Sequence, residues 1–450
     1  MRRLSILAVS AIALLAIPPG AAQQRVRVPV PAGGPAAGAP QPPLDARAVV
    51  AEVRRILAER YVLPERRPAL DAIFAQGLAA GRYDVTGPAE LAERINADLE
   101  TAGRDRHLNF RYAPRPVGQP AAERGPRQPD PGGFERQARA LNHGISELRV
   151  LPGNVRYMAY DGFMWTGGES AAALETAMRF LAGGDAVIID LRRNGGGSPE
   201  AVQYIVSHFL PPGQPLMSFY MNGSETADRT ETLAELPAGR MIGKPLYVLT
   251  SGGSASAAEE FAGHVAGYRI GELVGENTAG AGFRNELIRV QDQFVLSVSV
   301  GRAVLAATGR DWEAVGLAPT VPTALAEALD AAHALALRRL AAAAPAPARV
   351  RLEGIAEGVT ARLENRRPAL PLAAYAGSYG ERVVSVADGR LWFRRGNRAP
   401  LALIPLGGNQ FTLDIDPAAR LSFEVSGSAA TAFAMGPAGQ PPQGRFARNP

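Results

Sequence analysis

Leu246-Tyr-Val-Leu-Thr-Ser-Gly-Gly-Ser-Ala-Ser-Ala-Ala-Glu-Glu-Phe261 runs from an apolar strand, through a glycine-containing turn, into a helix that begins near Ser256. The run from Leu246 to Thr250 has the apolar and β-branched make-up of a buried strand, and the residues after Ser256 have helical spacing. A strand feeding a helix across a short turn is the unit of an α/β core. Such a turn is also a favourable place for a nucleophile. A helix N-terminus leaves backbone N–H groups without intrahelical partners and carries the positive end of the helix dipole. Both stabilise the oxyanion formed when a hydroxyl attacks a carbonyl. The residues alone admit a plainer role as well, with Ser254 and Ser256 as helix caps and Glu259 completing a capping box at the third helical position.

The same order recurs at Val187-Ile-Ile-Asp-Leu-Arg-Arg-Asn-Gly-Gly-Gly-Ser-Pro-Glu200, where three consecutive glycines let backbone approach a ligand and turn N–H groups toward an anion. The spacing Gly-x-Gly-x-x-Gly is missing there, as is Gly-Lys-Ser/Thr, which argues against a nucleotide site. A purely structural turn stays open. Strands are also expected at Val155–Tyr160, Ala186–Leu191 and Phe294–Val298, and helices around 171–181, 200–209, 257–267 and 324–340. This alternation is that of an α/β fold.

Outward from this core, Met1-Arg-Arg3, an apolar run from Leu4 to Ile17 and a small-residue stretch ending at Ala22 have the order of a secretory signal, expected to be cleaved after Ala22. No stretch reaches the roughly 20 apolar residues of a spanning helix, so no stable membrane insertion is expected after cleavage. The following Pro, Ala and Gly residues to Pro43 read as a disordered tether. Val49, Val50, Val53, Ile56, Leu57 and Tyr61, then Leu70, Ile73, Phe74 and Leu78, then Leu91, Ile95 and Leu99 recur at helical spacing and predict a helical subdomain over 44–113. A Pro/Gly-rich stretch from Pro114 to Gly133 precedes the core, expected at 134–341. An Ala/Pro linker is expected over 342–368, and a small antiparallel β domain over 369–450, with Asp388-Gly389 as a hairpin turn.

Composition narrows the chemistry. The 450-residue chain is 46% hydrophobic and 20% charged, which is ordinary for a globular protein. Its formal net charge of +5 is dispersed and points to no nucleic-acid footprint. With no cysteine, disulfides, thiolate zinc sites and a cysteine nucleophile are excluded. A hydroxyl nucleophile needs a base, either a neutral lysine or a histidine. The single lysine, Lys244, sits a dozen residues before Ser256 at the far end of a strand, too distant for a Ser/Lys dyad. Of the five histidines, His208, His264 and His333 lie in helical patterns. His143 stays open, and His107, in Asp105-Arg-His107-Leu108, lies where no apolar periodicity explains it.

Taken together, Asp-x-His, Ile-Ile-Asp-Leu-Arg-x-Asn-Gly-Gly-Gly, Leu-Thr-Ser-x-x-x-x-Ser-Ala-Ala-Glu-Glu-Phe, Gly-Glu-x-Thr-Ala-Gly and Trp-Glu-x-Val-Gly-x-x-Pro resemble the tail-specific, or C-terminal processing, serine peptidases. The likeness is to the branch containing the interphotoreceptor retinoid-binding protein repeats and the tricorn protease core, and it spans about Asp105 to Pro322. It implies a crotonase-like (ClpP-like) spiral of strand-strand-helix units. It places the nucleophile at Ser256 rather than Ser254, the general base at His107, and a polarising acid at Glu313. An oxyanion hole is implied at the Gly195-Gly196-Gly197 turn, chiefly Gly196 and Gly197, together with Ala257. The classical branch carries a lysine downstream of its serine where this chain has Ala279-Gly-Ala-Gly282, and Arg106 replaces the serine that precedes the histidine in the tricorn branch. No PDZ-type insertion fits between His107 and the glycine turn. The C-terminal region resembles the lipocalin-like appendages of secreted hydrolases.

The expected activity is therefore serine-type peptide-bond hydrolysis on peptide or protein substrates, with no metal or organic cofactor, in an exported protein of the periplasm or the medium. The other classes open to the sequence are a noncatalytic carrier of apolar ligands on the same fold and an esterase-type acyl hydrolase.

Overall fold

The computed structural model describes residues 44–103, 105, 107–114, 132–221, 224–291 and 293–450. The expected signal segment 1–22, the tether 23–43 and Arg106 lie outside the described residues, as does most of the Pro/Gly-rich stretch before the core.

Three helices open the described chain: α1 (Ala46–Arg60), α2 (Arg67–Ala79) and α3 (Pro88–Gly103). Asp45 caps α1 by accepting the Ala48 N–H at 2.9 Å. The buried stripe of α1 is Val49, Val50, Val53, Ile56 and Leu57, one face of a 3.6-residue repeat. A strand follows, β1 (Asn109–Tyr112), inside the segment expected to be helical. Four residues are too few for periodicity to betray. The strand is fixed by pairing and by the Asn96 side chain, which accepts the Phe110 N–H at 2.7 Å and donates to the Phe110 carbonyl at 2.5 Å. Asp105 and His107 thereby lie between α3 and β1.

The chain continues through α4 (Gly133–Ala140), β2 (Ile145–Leu151), β3 (Val155–Tyr160), α5 (Gly168–Ala182), β4 (Ala186–Asp190) and α6 (Pro199–Val206). Next come β5 (Pro215–Met221), β6 (Asp228–Glu231), β7 (Leu246–Thr250), α7 (Ala257–Gly267) and β8 (Glu272–Gly275). The region closes with β9 (Phe283–Val290), β10 (Phe294–Leu305), β11 (Val321–Pro322), α8 (Ala328–Ala343) and α9 (Ala346–Glu364).

One sheet has the order β11-β8-β7-β4-β3-β2, parallel except for the β2/β3 pair. Every residue of β4 and β7 is buried, as expected of parallel strands covered on both faces. Alternation divides them between two cores. Val187, Ile189 and Val248 pack with Leu174, Met178, Val202 and Phe261 from α5, α6 and α7. Ile188 and Leu249 pack with Ala332, Leu337 and Val359 from α8 and α9. Each such aliphatic side chain contributes about 1.5–3 kcal/mol on burial. The second sheet has the order β1-β10-β5-β6, with β9 also paired to β10, and is antiparallel. It shares a core with the N-terminal helices, where Val49, Phe74 and Leu99 meet Phe283, Phe294 and Val298.

The expected linker over 342–368 is instead largely helical, because α8 runs to Ala343 and α9 fills 346–364. Alanine is the strongest helix former, and Pro345 stands at the N-cap of α9, where its missing N–H is not needed. The linker reading failed because composition alone does not reveal the buried face of Ile355, Ala356 and Val359. Beyond α9, eight antiparallel strands between Gly377 and Ala447 pair in sequence order around Tyr375, Tyr379, Phe411, Phe423 and Phe433. The Asp388-Gly389 hairpin turn has φ of 51° and 70°, as a type I′ turn requires. The Asn449 N–H donates to the Ser378 carbonyl at 2.8 Å, tying the chain end to the first of these strands. Among the described residues, no helix is long and apolar enough to cross a membrane.

Candidate active site

β4 and β7 are neighbours, so the turns that follow them meet at one end of the sheet. Three hydrogen bonds lock those turns together, and a fourth braces the serine turn itself. The Ser254 hydroxyl donates to the Leu191 carbonyl at 2.7 Å and accepts the Ser251 N–H at 3.0 Å. The Ser251 hydroxyl donates to the Arg192 carbonyl at 2.7 Å, and the Ala255 N–H to the Asn194 carbonyl at 3.0 Å. Ser254 is fully buried and spent on the fold. Ser256 differs: it is the N-cap of α7, with φ 54° and ψ −117°. A non-glycine residue in that region costs on the order of 1–3 kcal/mol, strain that persists only where the surroundings enforce it. Ser256 and Ala257 line a cleft of about 180 Å³ with Gly197, Phe219, Phe283, Arg284 and Trp312.

The glycine turn closes over the serine. A Cβ on Gly196 would stand 2.8 Å from the Ser256 Cβ and 2.9 Å from the Ala255 carbonyl oxygen, and one on Gly197 would stand 2.2 Å from the Phe163 carbonyl oxygen. Their φ values of 107° and 143° also demand glycine. The expectation that Gly196 supplies an oxyanion donor is not met, because its N–H donates to Asn194 Oδ1 at 2.9 Å. Asn194 is fully buried, and this bond satisfies its side-chain oxygen while its Nδ2 donates to the Tyr160 carbonyl at 2.8 Å. The N–H groups of Gly197 and Ala257 have no acceptor among the described residues.

Glu259 sits beneath the serine, fully buried. Its Oε2 accepts the N–H of Ser256 at 2.9 Å, which is the capping contact expected from the sequence, and that of Ala281 at 2.8 Å. Its Oε1 accepts the Thr278 hydroxyl at 2.6 Å and the Gly280 N–H at 2.7 Å. One carboxylate thus holds both the serine turn and the 278–281 segment, a span the local capping pattern did not reveal. The neighbouring Glu260 is buried in the cleft wall, and burial raises its pKa.

The 278–281 segment leads to the histidine. Glu313 Oε2 accepts the N–H groups of Gly282 at 2.6 Å and Phe283 at 3.0 Å, and both residues line the serine cleft. Asp105, His107 and Glu313 each turn a donor or acceptor atom toward the others, all within 4.8 Å. Asp105 Oδ2, His107 Nδ1 and Glu313 Oε1 are buried with no hydrogen-bond partner among the described residues. Burial and the nearby Asp105 push the Glu313 carboxyl up to about 7, against the lowering by its two backbone donors. Burial holds His107 below the ordinary imidazole value, against the charges of Asp105 and Glu259. Ser256, His107 and Glu313 are thus joined through Glu259 and the 280–283 strip. Asp105 was legible only as a letter of the Asp-x-His motif.

Lys244, His143, His208 and His333 are engaged elsewhere. Lys244 Nζ donates to the Ala182 carbonyl at 2.8 Å and to that of Gly184, closing the end of α5. His143 Nδ1 bonds the buried Ser170 hydroxyl at 2.8 Å, His208 Nδ1 the Tyr204 carbonyl at 2.9 Å, and His333 Nε2 the Pro152 carbonyl at 2.8 Å. His264 is fully buried, 3.7 Å from Glu260.

Residues 154–323 match the family described as Peptidase family S41, and residues 45–136 match the N-terminal domain of Peptidase_S41 in eukaryotic IRBP. The chain is 32% identical over 120 residues to the "Carboxyl-terminal-processing protease" of Synechocystis sp., covering 27% of each. It is 30% identical over 149 residues to "Carboxy-terminal processing protease CtpB" of Bacillus subtilis, covering 33% of this chain and 29% of that protein. It therefore spans under a third of the length of these curated relatives. Among solved structures, the photosystem II D1 C-terminal processing protease aligns at a TM-score of 0.40 and 17% identity, over 63% of this chain and 94% of its own. Both family segments fall on the elements described above, one carrying His107 and the other Ser256 and Glu313, and the chain belongs to peptidase family S41, the serine-type peptidases.

Proposed function

We propose that this chain hydrolyses peptide bonds in peptide or protein substrates, with Ser256 as nucleophile and His107 as general base. The observation that carries this reading is the strained N-cap serine beside two N–H groups, of Gly197 and Ala257, that have no acceptor among the described residues. In this mechanism His107 takes the hydroxyl proton as Ser256 Oγ bonds to the scissile carbonyl carbon. The resulting oxyanion lies against the Gly197 and Ala257 donors, and His107 returns the proton to the leaving amine as the C–N bond breaks. Water then repeats the sequence on the acyl-enzyme, releasing the carboxylate and restoring the serine. All the chemistry is performed by side chains and backbone of this chain. The core is read as a crotonase-like spiral, and the protein as exported to the periplasm or the medium, in keeping with the Met1–Ala22 segment.

The test is labelling with a fluorophosphonate probe, mapping the modified peptide, and repeating with Ser256→Ala, Ser254→Ala and His107→Ala. Ser256→Ala is expected to abolish labelling and His107→Ala to remove most of it with the fold intact. Labelling that survives Ser256→Ala would overturn the assignment. Peptide and ester panels, scored by product, separate a peptidase from an esterase, and turnover of neither leaves the carrier reading.

A further inference from the structure

We propose that Asp105, rather than Glu313, is the anionic partner that orients His107 and balances the charge its ring gains when Ser256 attacks. The inference rests on the peptidase reading above and assigns a residue for which that reading has no role.

The geometry of Asp105 suits the task. Its side chain is only 7% exposed. Oδ1 accepts the backbone N–H of His107 at 2.9 Å, so the carboxylate is fixed by the same residue whose ring it faces. Its second oxygen, Oδ2, is buried without a partner among the described residues, as is His107 Nδ1. In the proposed arrangement Asp105 Oδ2 takes up the buried Nδ1 of His107, which leaves the opposite nitrogen, Nε2, for the nucleophile and sets the tautomer a general base requires. The contact is one that tightens when the ring takes the proton, as catalytic hydrogen bonds often do on passing from the free enzyme to the reacting complex.

Glu313 is differently placed. One of its oxygens is committed to two backbone N–H groups, and the other faces Asp105 and His107 without a partner among the described residues. Two carboxyl groups this close in desolvated surroundings do not both ionise freely, and one keeps a proton. Burial and Asp105 together select Glu313, whose carboxyl is pushed up to about 7. Glu313 is thereby the weaker anion of the two, which leaves Asp105, with Oδ1 on the His107 N–H and Oδ2 unpartnered among the described residues, as the carboxyl group placed to answer the charge on the ring. Among the described residues, the other groups near the cluster are the Tyr61 hydroxyl at the end of α1, Arg66 beyond it and Glu259 of α7. Burial and Asp105 raise the pKa of Tyr61, so its hydroxyl stays neutral.

The experiment compares Asp105→Asn, Asp105→Glu and Glu313→Gln with the unaltered protein, measuring kcat, KM, labelling rate and melting temperature from pH 5 to pH 9. Asparagine retains the oxygen that accepts the His107 N–H. Asp105→Asn is expected to lower kcat by about 10³–10⁴-fold with KM within about twofold, the loss seen when the acid of a triad becomes an amide. The acid limb of its kcat/KM profile should move to lower pH, because His107 loses its stabilising anion. Asp105→Glu should recover part of kcat. Glu313→Gln should lower kcat less than about tenfold and remove a pH inflection near 7. A larger loss from Glu313→Gln than from Asp105→Asn overturns the proposal, as does Asp105→Asn activity within about tenfold of normal. If Asp105→Asn does not fold, the other two variants decide, and an inactive Asp105→Glu beside an equally inactive Glu313→Gln counts against it. Failure of the underlying peptidase reading appears separately, as labelling that persists in Ser256→Ala.

Discussion

Two residues with different duties set the serine's geometry: Gly196, which leaves room, and Glu259, which holds. An alanine at Gly196 would press its Cβ to within 2.8 Å of Ser256 and 2.9 Å of the Ala255 carbonyl, at a φ of 107°. Gly196→Ala is therefore expected to cut the fluorophosphonate labelling rate at least 100-fold while secondary structure by circular dichroism is retained. Normal labelling would mean that the turn is not held against the serine. Glu259→Ala removes one acceptor from four donors at once, leaving the N–H groups of Ser256, Gly280 and Ala281 and the Thr278 hydroxyl without it. A loss of about 3 kcal/mol or more in denaturant unfolding is expected, since stranding buried donors costs about 1–3 kcal/mol each and the strained serine turn loses its anchor. Gln in its place, keeping a single acceptor oxygen, should recover only part of this.

Among the elements, α9 joins the peptidase core to the C-terminal sheet. Arg362 on this helix bonds Asp330 of α8 through Nε at 2.8 Å and Nη2 at 2.6 Å. Gly358 lies so close to the sheet that a Cβ there would stand 2.4 Å from the Pro417 carbonyl oxygen. Gly358→Ala is expected to cost about 1–3 kcal/mol through overpacking. The labelling rate at Ser256 should be unchanged, because α9 lies on the face of the parallel sheet away from α7. Calorimetry with parallel labelling checks both, and a coupled loss of labelling would place the C-terminal sheet in control of the serine turn.

For the molecule as a whole, pH acts on stability through buried groups of opposite sign. His208 is held at about 4, mainly by burial, against an unfolded value near 6.5. The unfolded state binds the proton first, so stability present above pH 6.5 is lost as pH falls toward 4. His107 and His333 are displaced in the same direction, also mainly by burial. Glu313 runs the other way: raised to about 7, its protonated form supports the fold at low pH, and that contribution is lost as pH rises through 7. The melting temperature is thus expected to decline on acidification below about 6.5. His208→Gln should flatten that decline, and Glu313→Gln should gain relative to the parent between pH 5 and pH 8. Thermal melts across this range check both, and parallel curves for parent and variants would refute the assignment.

The sequence by itself determined the alternation of strands and helices and the two glycine-bearing turns, because these follow from short-range periodicity and the few residues that tolerate unusual φ. It also reduced the candidate bases to a handful, because the chain has one lysine and five histidines. The motif resemblance favoured Ser256 over Ser254, but only the tertiary structure shows how Ser254 is spent, because its partner, the Leu191 carbonyl, lies at a distant strand end. The same holds for Gly196, whose N–H is taken by a neighbouring side chain, and for the Ala/Pro stretch, made helical by an apolar face that composition does not report. The grouping of Asp105, His107 and Glu313 brings together residues about 200 positions apart, and burial together with charge, which no local pattern encodes, raises the Glu313 carboxyl.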